Sequence, residues 1–266
     1  MKNILRNAGF LGASLMVLAA LFSSSAFAFS DYNLMNANLN DGVIESLLKT
    51  AAMSSEHRPY SSASPLGYVI GLDVGIAITA APVTSDFKSA LSLATGQAES
   101  EIPAFLPVPQ IAIRKGFPKG FDLGITFATS STLLGQPGLF SLYGGDLQWA
   151  FVSGAGAKPA LAARISYSNS TLWFLKTNSY ALDVIASKNL YIIDPYAGIG
   201  LKHWSGSLEL QPFQELPYTV SGSKSGTNPH VFFGLPLKMA FINMTFEADY
   251  NFNGMSTYGS KISLHF

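Results

Sequence analysis

The last nine residues of the sequence alternate strictly between two kinds of side chain. Tyr258, Ser260, Ile262, Leu264 and Phe266 fall on one face of an extended chain. The positions between them, which fall on the other face, are Gly, Lys, Ser and His. A period of two with one largely apolar face is typical of a half-buried β-strand. The final aromatic ring predicts that this end of the strand is held in place.

The same alternation recurs along most of the chain and predicts about ten strands. The predicted strands are 66–79, 108–115, 121–131, 141–153, 160–170, 178–187, 190–204, 229–237, 241–251 and 258–266. Their connections alternate in length, as they do in membrane barrels that have long loops at one end and short turns at the other. The mostly long ones are 80–107, 132–140, 171–177, 205–228 and 252–256, and the short ones are 116–120, 154–159, 188–189 and 236–240.

Composition leaves this chain few ways to fold. Hydrophobic residues make up 48% of it, and charged residues make up 12%, about half the usual share. No apolar run after residue 28 approaches the roughly 18 residues of a transmembrane helix. Only helices and closed barrels satisfy every backbone group in lipid. We therefore predict an all-β fold, a transmembrane antiparallel up-and-down β-barrel over residues 65–266.

Alternation running into a terminal Phe resembles the closing strand of bacterial outer-membrane β-barrel proteins of the small, porin-like class. The resemblance implies location in the outer membrane, with lipid around the wall. It also implies that the barrel-assembly machinery reads Tyr258, Ile262, Leu264 and Phe266 as an insertion signal. It brings no characterised family whose function transfers to this chain.

The N-terminal part is expected to lie outside the barrel strands. Residues 1–28 have a basic start, an apolar run and an Ala-x-Ala site, which predict a secretory signal peptide. In the segment 29–64, apolar residues at helical spacing predict a short amphipathic helix over 41–53, followed by an irregular linker. This helix would either plug the barrel from the periplasmic side or dock on its periplasmic rim. The chain has no cysteine, which excludes disulfides and a lipid-anchored cysteine.

A soluble barrel such as a lipocalin, with its apolar face inward, is the competing fold. The polar faces of the strands decide against it, since they are rich in Gly and Ala instead of dense in Lys and Glu. Aromatic residues on the apolar face form two groups near opposite strand ends, as at two membrane interfaces. These are Tyr143, Tyr167, Tyr180, Tyr250 and Tyr258 at one end, and Tyr68, Phe121, Phe151 and Phe266 at the other.

The mid-strand charges all fall on the polar face, which places them in the lumen as candidate binding residues. They are Asp73, Arg114, Asp122, Asp146, Arg164, Asp183, Asp194, Lys202, Glu247, Asp249 and Lys261. Their net charge of −3 favours cations in a small pore, if one is open. Alternatively, the charges pair across a lumen closed by side chains, because even eight strands leave little room. On the lipid face, Ile125→Arg and Leu72→Arg should block assembly, whereas Gly75→Ser on the lumen face should be tolerated.

Three functions remain open. The first is a passive channel or a transporter that binds a small or hydrophobic ligand, and the second is a sealed structural or adhesive barrel acting through its loops. The third is a surface hydrolase using His203 and His230, which fall near the long loop on adjacent strands. We predict no enzyme, cofactor or metal. Removing Lys2 and Arg6 with the signal leaves 14 of the 16 basic residues against 16 acidic ones, which argues against nucleic-acid binding.

Overall fold

The computed structural model describes residues 41–67, 69–95, 98–129, 140–154, 158–172, 175–210, 220–252 and 255–266. Two α-helices are found there, α1 (Asp41–Ser54) and α2 (Ser85–Thr95). The strands are β1 (Leu72–Pro82), β2 (Phe105–Phe117), β3 (Phe121–Thr129), β4 (Phe140–Ser153), β5 (Ala160–Leu172), β6 (Leu175–Ser187), β7 (Tyr196–Leu210), β8 (Val220–Met239), β9 (Ile242–Asn251) and β10 (Met255–His265). No helix among these residues is long and apolar enough to cross a membrane.

The ten strands form one closed antiparallel barrel in which each strand pairs with the next, and β1 closes the ring by pairing with β10. Ile76 of β1 lies opposite Ile262 of β10 at this seam. The predicted up-and-down barrel of about ten strands is therefore confirmed. We call the end where β1 begins and β10 stops the C-terminal end, and the opposite end, which carries α1 and α2, the helical end.

The outer wall of the barrel is apolar, as the alternation predicts. Large hydrophobic side chains point outward from successive strands, among them Ile125, Leu147, Ile165, Leu182 and Phe233, each at least 40% exposed. Most inward side chains at the intervening positions are small or polar, and the large apolar ones, such as Trp204 and Phe232, lie inside the barrel. A soluble barrel would have the opposite arrangement, with its hydrophobic side chains inside.

The chain between α1 and β1 is not a linker outside the barrel. Residues 55–66, which we call the luminal segment, lie inside it. At the helical end Ser55 bonds to Ser170 of β5. At the C-terminal end the amide of Leu66 donates to Asp122 of β3. The segment thus runs the length of the lumen before the chain turns back into β1.

The helix predicted over 41–53 is confirmed as α1, which lies at the helical end of the barrel. Its apolar side packs on Leu172, Leu175, Trp204 and Leu208, which lie where β5, β6 and β7 reach the helical end. It therefore fills the lumen at the helical end of the barrel. The predicted signal peptide and the aromatic Tyr68 lie outside the described residues, and both stay predictions.

Several predicted strand limits were wrong, the largest error lying at the hairpin of β7 and β8. Most of the loop predicted over 205–228 is strand, since β7 continues to Leu210 and β8 begins at Val220. Conversely, the strand predicted from residue 190 begins at Tyr196, after a longer turn. Strand β1 begins at Leu72, so that residue lies at a strand end.

The prediction that Gly75→Ser is tolerated was wrong, because a Cβ at Gly75 would overlap the backbone of β10.

Candidate functional site: the filled lumen

The structure places every strand charge predicted to face the lumen inside the barrel, with exposure of 6% or less for each. Their partners include one another and three consecutive residues of the luminal segment, Glu56, His57 and Arg58. These three were missed as site residues by the sequence reasoning. Three adjacent ionisable residues in a chain with so few charges were the available signal.

On one wall, strands β2, β3 and β4 hold His57. Arg114 donates from Nη1 to both carboxylate oxygens of Asp146, at 2.7 and 2.9 Å. Nε2 of His57 lies 2.7 Å from Asp146 Oδ1, and its Nδ1 lies 2.8 Å from the Thr126 hydroxyl. Gly144 of β4 makes this approach possible, because a Cβ there would overlap the His57 side chain. The imidazole is therefore fixed at both nitrogens.

On the opposite wall, an ion chain runs across β5, β6, β7, β8 and β9. Arg164 donates to Asp183 at 2.9 Å. His230 lies between two carboxylates, 3.0 Å from Asp183 and 2.9 Å from Asp249. Lys202 donates to Asp249 at 3.1 Å. Five strands are thus tied together inside the wall, in addition to their backbone hydrogen bonds.

The luminal segment completes this ion chain. Lys202 pairs with Glu56 at 2.7 Å. Arg58 lies 3.2 Å from Asp249 and 3.5 Å from Glu247. A buried charge without a partner is strongly unfavourable, so the wall carboxylates need Arg58 to be in place.

The seam between β1 and β10 is also tied to the segment. Lys261 donates to Asp73 across the seam and to the carbonyl oxygen of Pro59, both at 3.0 Å. The Tyr60 hydroxyl bonds to Thr79 of β1. On the other side of the seam, a Cβ at Gly259 would overlap the Tyr60 ring. Only a residue without a side chain lets Tyr60 lie across the closing pair of strands.

Charges inside the barrel pair with one another, and carboxylates remain in slight excess. The described residues supply eight carboxylates, six Lys or Arg cations and two histidines to the lumen and its rim. The carboxylates are Glu56, Asp73, Asp122, Asp146, Asp183, Asp194, Glu247 and Asp249, and the others are His57, Arg58, Arg114, Arg164, Lys202, His230, Lys238 and Lys261. The luminal segment adds one carboxylate, Glu56, and one guanidinium, Arg58, so with neutral histidines the acidic surplus falls only from three to two, through Lys238.

The pair of histidines considered from the sequence does not form a common site. His203 and His230 are on adjacent strands, but His203 bonds to Thr227 on the outer face, whereas His230 points into the lumen. They do not share one rim site. Within the described residues there is also no group of three or more His, Asp or Glu side chains placed to hold a metal ion.

Comparison with known proteins gives the family. A family model described as Family of unknown function (DUF6588) matches residues 30–266. The chain belongs to this family. No curated protein matches it significantly.

Several solved structures resemble the chain over most of their length. They include the N-terminal β-barrel domain of OprF from Pseudomonas aeruginosa (14% identity, 72% of this chain and 99% of that one, TM-score 0.32). The KdgM porin, in complex with disordered oligogalacturonate, shares 9% identity (73% and 99% covered, TM-score 0.37). Ail of Yersinia pestis shares 11% (72% and 93% covered, TM-score 0.29). Likenesses this weak do not bear on function, which must be argued from this chain's own residues.

Proposed function

We propose that the protein is an integral outer-membrane barrel whose lumen is closed by its own luminal segment. It is anchored by its apolar wall and acts through the helical end, as a structural or adhesive protein. The observation that carries this proposal is the path of residues 55–66, which cross the lumen with partners on both walls and at the seam.

The membrane part of the proposal is supported by the outer wall. Its exposed hydrophobic side chains face lipid, and the predicted signal peptide directs export. The outward alternation of β10 supports Tyr258, Ile262, Leu264 and Phe266 as the segment read by the barrel-assembly machinery. In such barrels the longer connections face outside and the short turns face the periplasm. The long connection of residues 83–104 therefore supports an orientation in which the helical end lies outside the cell.

Labelling with a membrane-impermeant maleimide tests this orientation, because the natural chain has no cysteine to react. In Asp41→Cys the thiol lies at the helical end, where the Asp41 side chain is 89% exposed. In Tyr191→Cys it lies in a turn at the C-terminal end, where Tyr191 is 96% exposed. Intact cells should label the first variant and not the second, and lysed cells should label both. The reverse pattern on intact cells would show the opposite orientation.

Planar-bilayer recording tests closure. The refolded full-length chain should give no steady conductance, because the luminal segment fills the barrel between α1 and the C-terminal end. A stable conductance in the natural protein, at a level matched by every refolded preparation, would contradict a sealed lumen.

A gated channel or ligand transporter is the second candidate, and one observation favours it. Polar groups dominate the contacts of the luminal segment with the wall, and water can replace polar contacts when the segment moves. The double variant Glu56→Gln, Arg58→Gln keeps side-chain volume and removes two opposite charges together. Conductance that appears only in this variant would favour the gated channel. A variant as silent as the natural chain would favour the sealed barrel, in which we expect no enzymatic activity.

A further inference from the structure

A polar cavity of about 190 Å³ lies at the C-terminal end, between the luminal segment and the wall. Its lining includes three carboxylates, Asp73, Asp122 and Asp194, and three cations, Arg114, Lys238 and Lys261. Lys238 is partly exposed at its rim, so the cavity is reached from this end. Balanced charge in the lining disfavours a ligand with net charge.

Several buried hydrogen-bonding atoms without a partner among the described residues belong to residues that line this cavity. They include the donor Nη2 of Arg114 and two acceptors, Oδ1 of Asp194 and Oδ1 of Asn243. Asp194 is fully buried, and Arg114 is 3% exposed. A buried polar group left without a partner costs about 1–3 kcal/mol, and more if it is charged. Such atoms, aimed into a cavity, point to a ligand that satisfies them.

The positions of these atoms select the ligand. Arg114 is on β2 and Asp194 directly precedes β7, five strands away in a ring of ten. Arg114, with the unsatisfied donor, and Asp194, with the unsatisfied carboxylate oxygen, therefore line the cavity from opposite walls. Asn243 of β9 lies two strands from β7 in the ring, so its oxygen adds a second acceptor on the Asp194 side.

We propose that this cavity binds a small zwitterion of the size of a short amino acid. Its carboxylate accepts from Arg114 Nη2, and its ammonium group donates to Asp194 Oδ1 and Asn243 Oδ1. A cavity below the ~300 Å³ of most drug-sized pockets suits a ligand of this size. That the ligand enters from the periplasm rests on the proposed orientation, whereas binding itself does not.

Isothermal titration of the refolded full-length protein in detergent tests the site, with glycine as the probe. Glycine should bind saturably at one site, and acetate and methylammonium, which each carry one of its charges, at least about tenfold more weakly. Glycerol should not compete. Equal heats for glycine and glycerol, or no saturable binding of glycine, would overturn the proposal by showing a solvated cavity only.

Two variants localise the binding. Asp194→Asn should weaken glycine by more than about tenfold, since it removes the charge that faces the ammonium group. Because Asp194 also bonds to Ser62 and Lys238, that variant is at risk of misfolding. Asn243→Ala is the second variant, with an expected loss of about tenfold. Lys176→Gln, at the helical end, is the control and should bind like the natural chain. Unchanged affinity in Asn243→Ala, or an equal loss in the control, would contradict the assignment.

Discussion

At the helical end the lumen is filled by apolar side chains of α1, whereas in its middle the luminal segment is held by ion pairs. Leu48 and Met53 of α1 are fully buried with Trp204 and Leu208 of β7. A few residues later, Arg58 is equally buried but lies among carboxylates. Apolar packing depends on volume and tolerates substitutions that conserve it. An ion network depends on every member, because removing one partner leaves a buried charge.

The largest effect is expected for Arg58→Leu. It leaves Asp249 and Glu247 with less opposite charge, which should lower the free energy of unfolding by about 3–5 kcal/mol. Urea unfolding in lipid vesicles, followed by tryptophan fluorescence, measures it. Arg58→Lys should recover only part of the loss, because one ammonium group does not match the two-sided reach of a guanidinium.

Lys176→Ala is the matched control for Arg58→Leu. Lys176 pairs with Glu209 at 3.9 Å, and its side chain is 62% exposed. An exposed pair contributes about 0–1 kcal/mol. A loss in Lys176→Ala as large as that in Arg58→Leu would mean that burial does not decide the strength of these pairs.

Leu48→Ala is expected to come next, with a loss of about 2–5 kcal/mol from lost burial and a residual cavity. Leu48→Met conserves volume, and its loss should stay below about 1.5 kcal/mol. The same urea titration measures both variants. If Leu48→Met were as costly as Leu48→Ala, the helical end would share the strict requirements of the ion network, and the contrast between the two regions would fail.

The barrel could be predicted from the sequence because each strand separates two environments. Lipid on one side and the lumen on the other impose alternation on every membrane-crossing stretch. The number of strands, and which side chains face lipid, could therefore be predicted directly. The extension of β7 and β8 beyond residues 204 and 229 was missed because its inward positions, Gly206 and Gly222, are small to admit Leu48 and Ile44. Without apolar alternation, a Gly- and Ser-rich strand has the composition of a loop.

Only the wall residues of the site could be predicted from the sequence. The wall charges could be identified from their position on the polar face of each strand. Their partners in the luminal segment have no periodicity, and they pair over long stretches of sequence, 89 residues between His57 and Asp146. No local pattern indicated that residues 55–66 would enter the lumen and pair with both the acids and the bases of the wall.

On the outer wall, Ile125→Arg should cost about 2–4 kcal/mol, because it places a charge on the lipid face near the bilayer midplane. Ile125 is 47% exposed and lies at the middle of β3. Folding yield into vesicles, read from the mobility shift of the unheated protein on gels, measures the effect. Ile125→Leu is the control and should fold like the natural chain. Equal yields for both variants would mean that lipid does not cover this face.

The smallest effect is expected for Lys224→Gln, which removes the ion pair with Asp41 at the first turn of α1. The two groups are 3.3 Å apart, and the Asp41 side chain is largely exposed. Solvent and salt screen such a pair, so its loss should cost at most about 1 kcal/mol and shrink further at high salt. Urea titrations at low and high salt measure this. A salt-independent loss as large as that of Arg58→Leu would show that α1, like the luminal segment, is held by charge. The contrast between an apolar end and an ionic middle would then no longer describe how this lumen is filled.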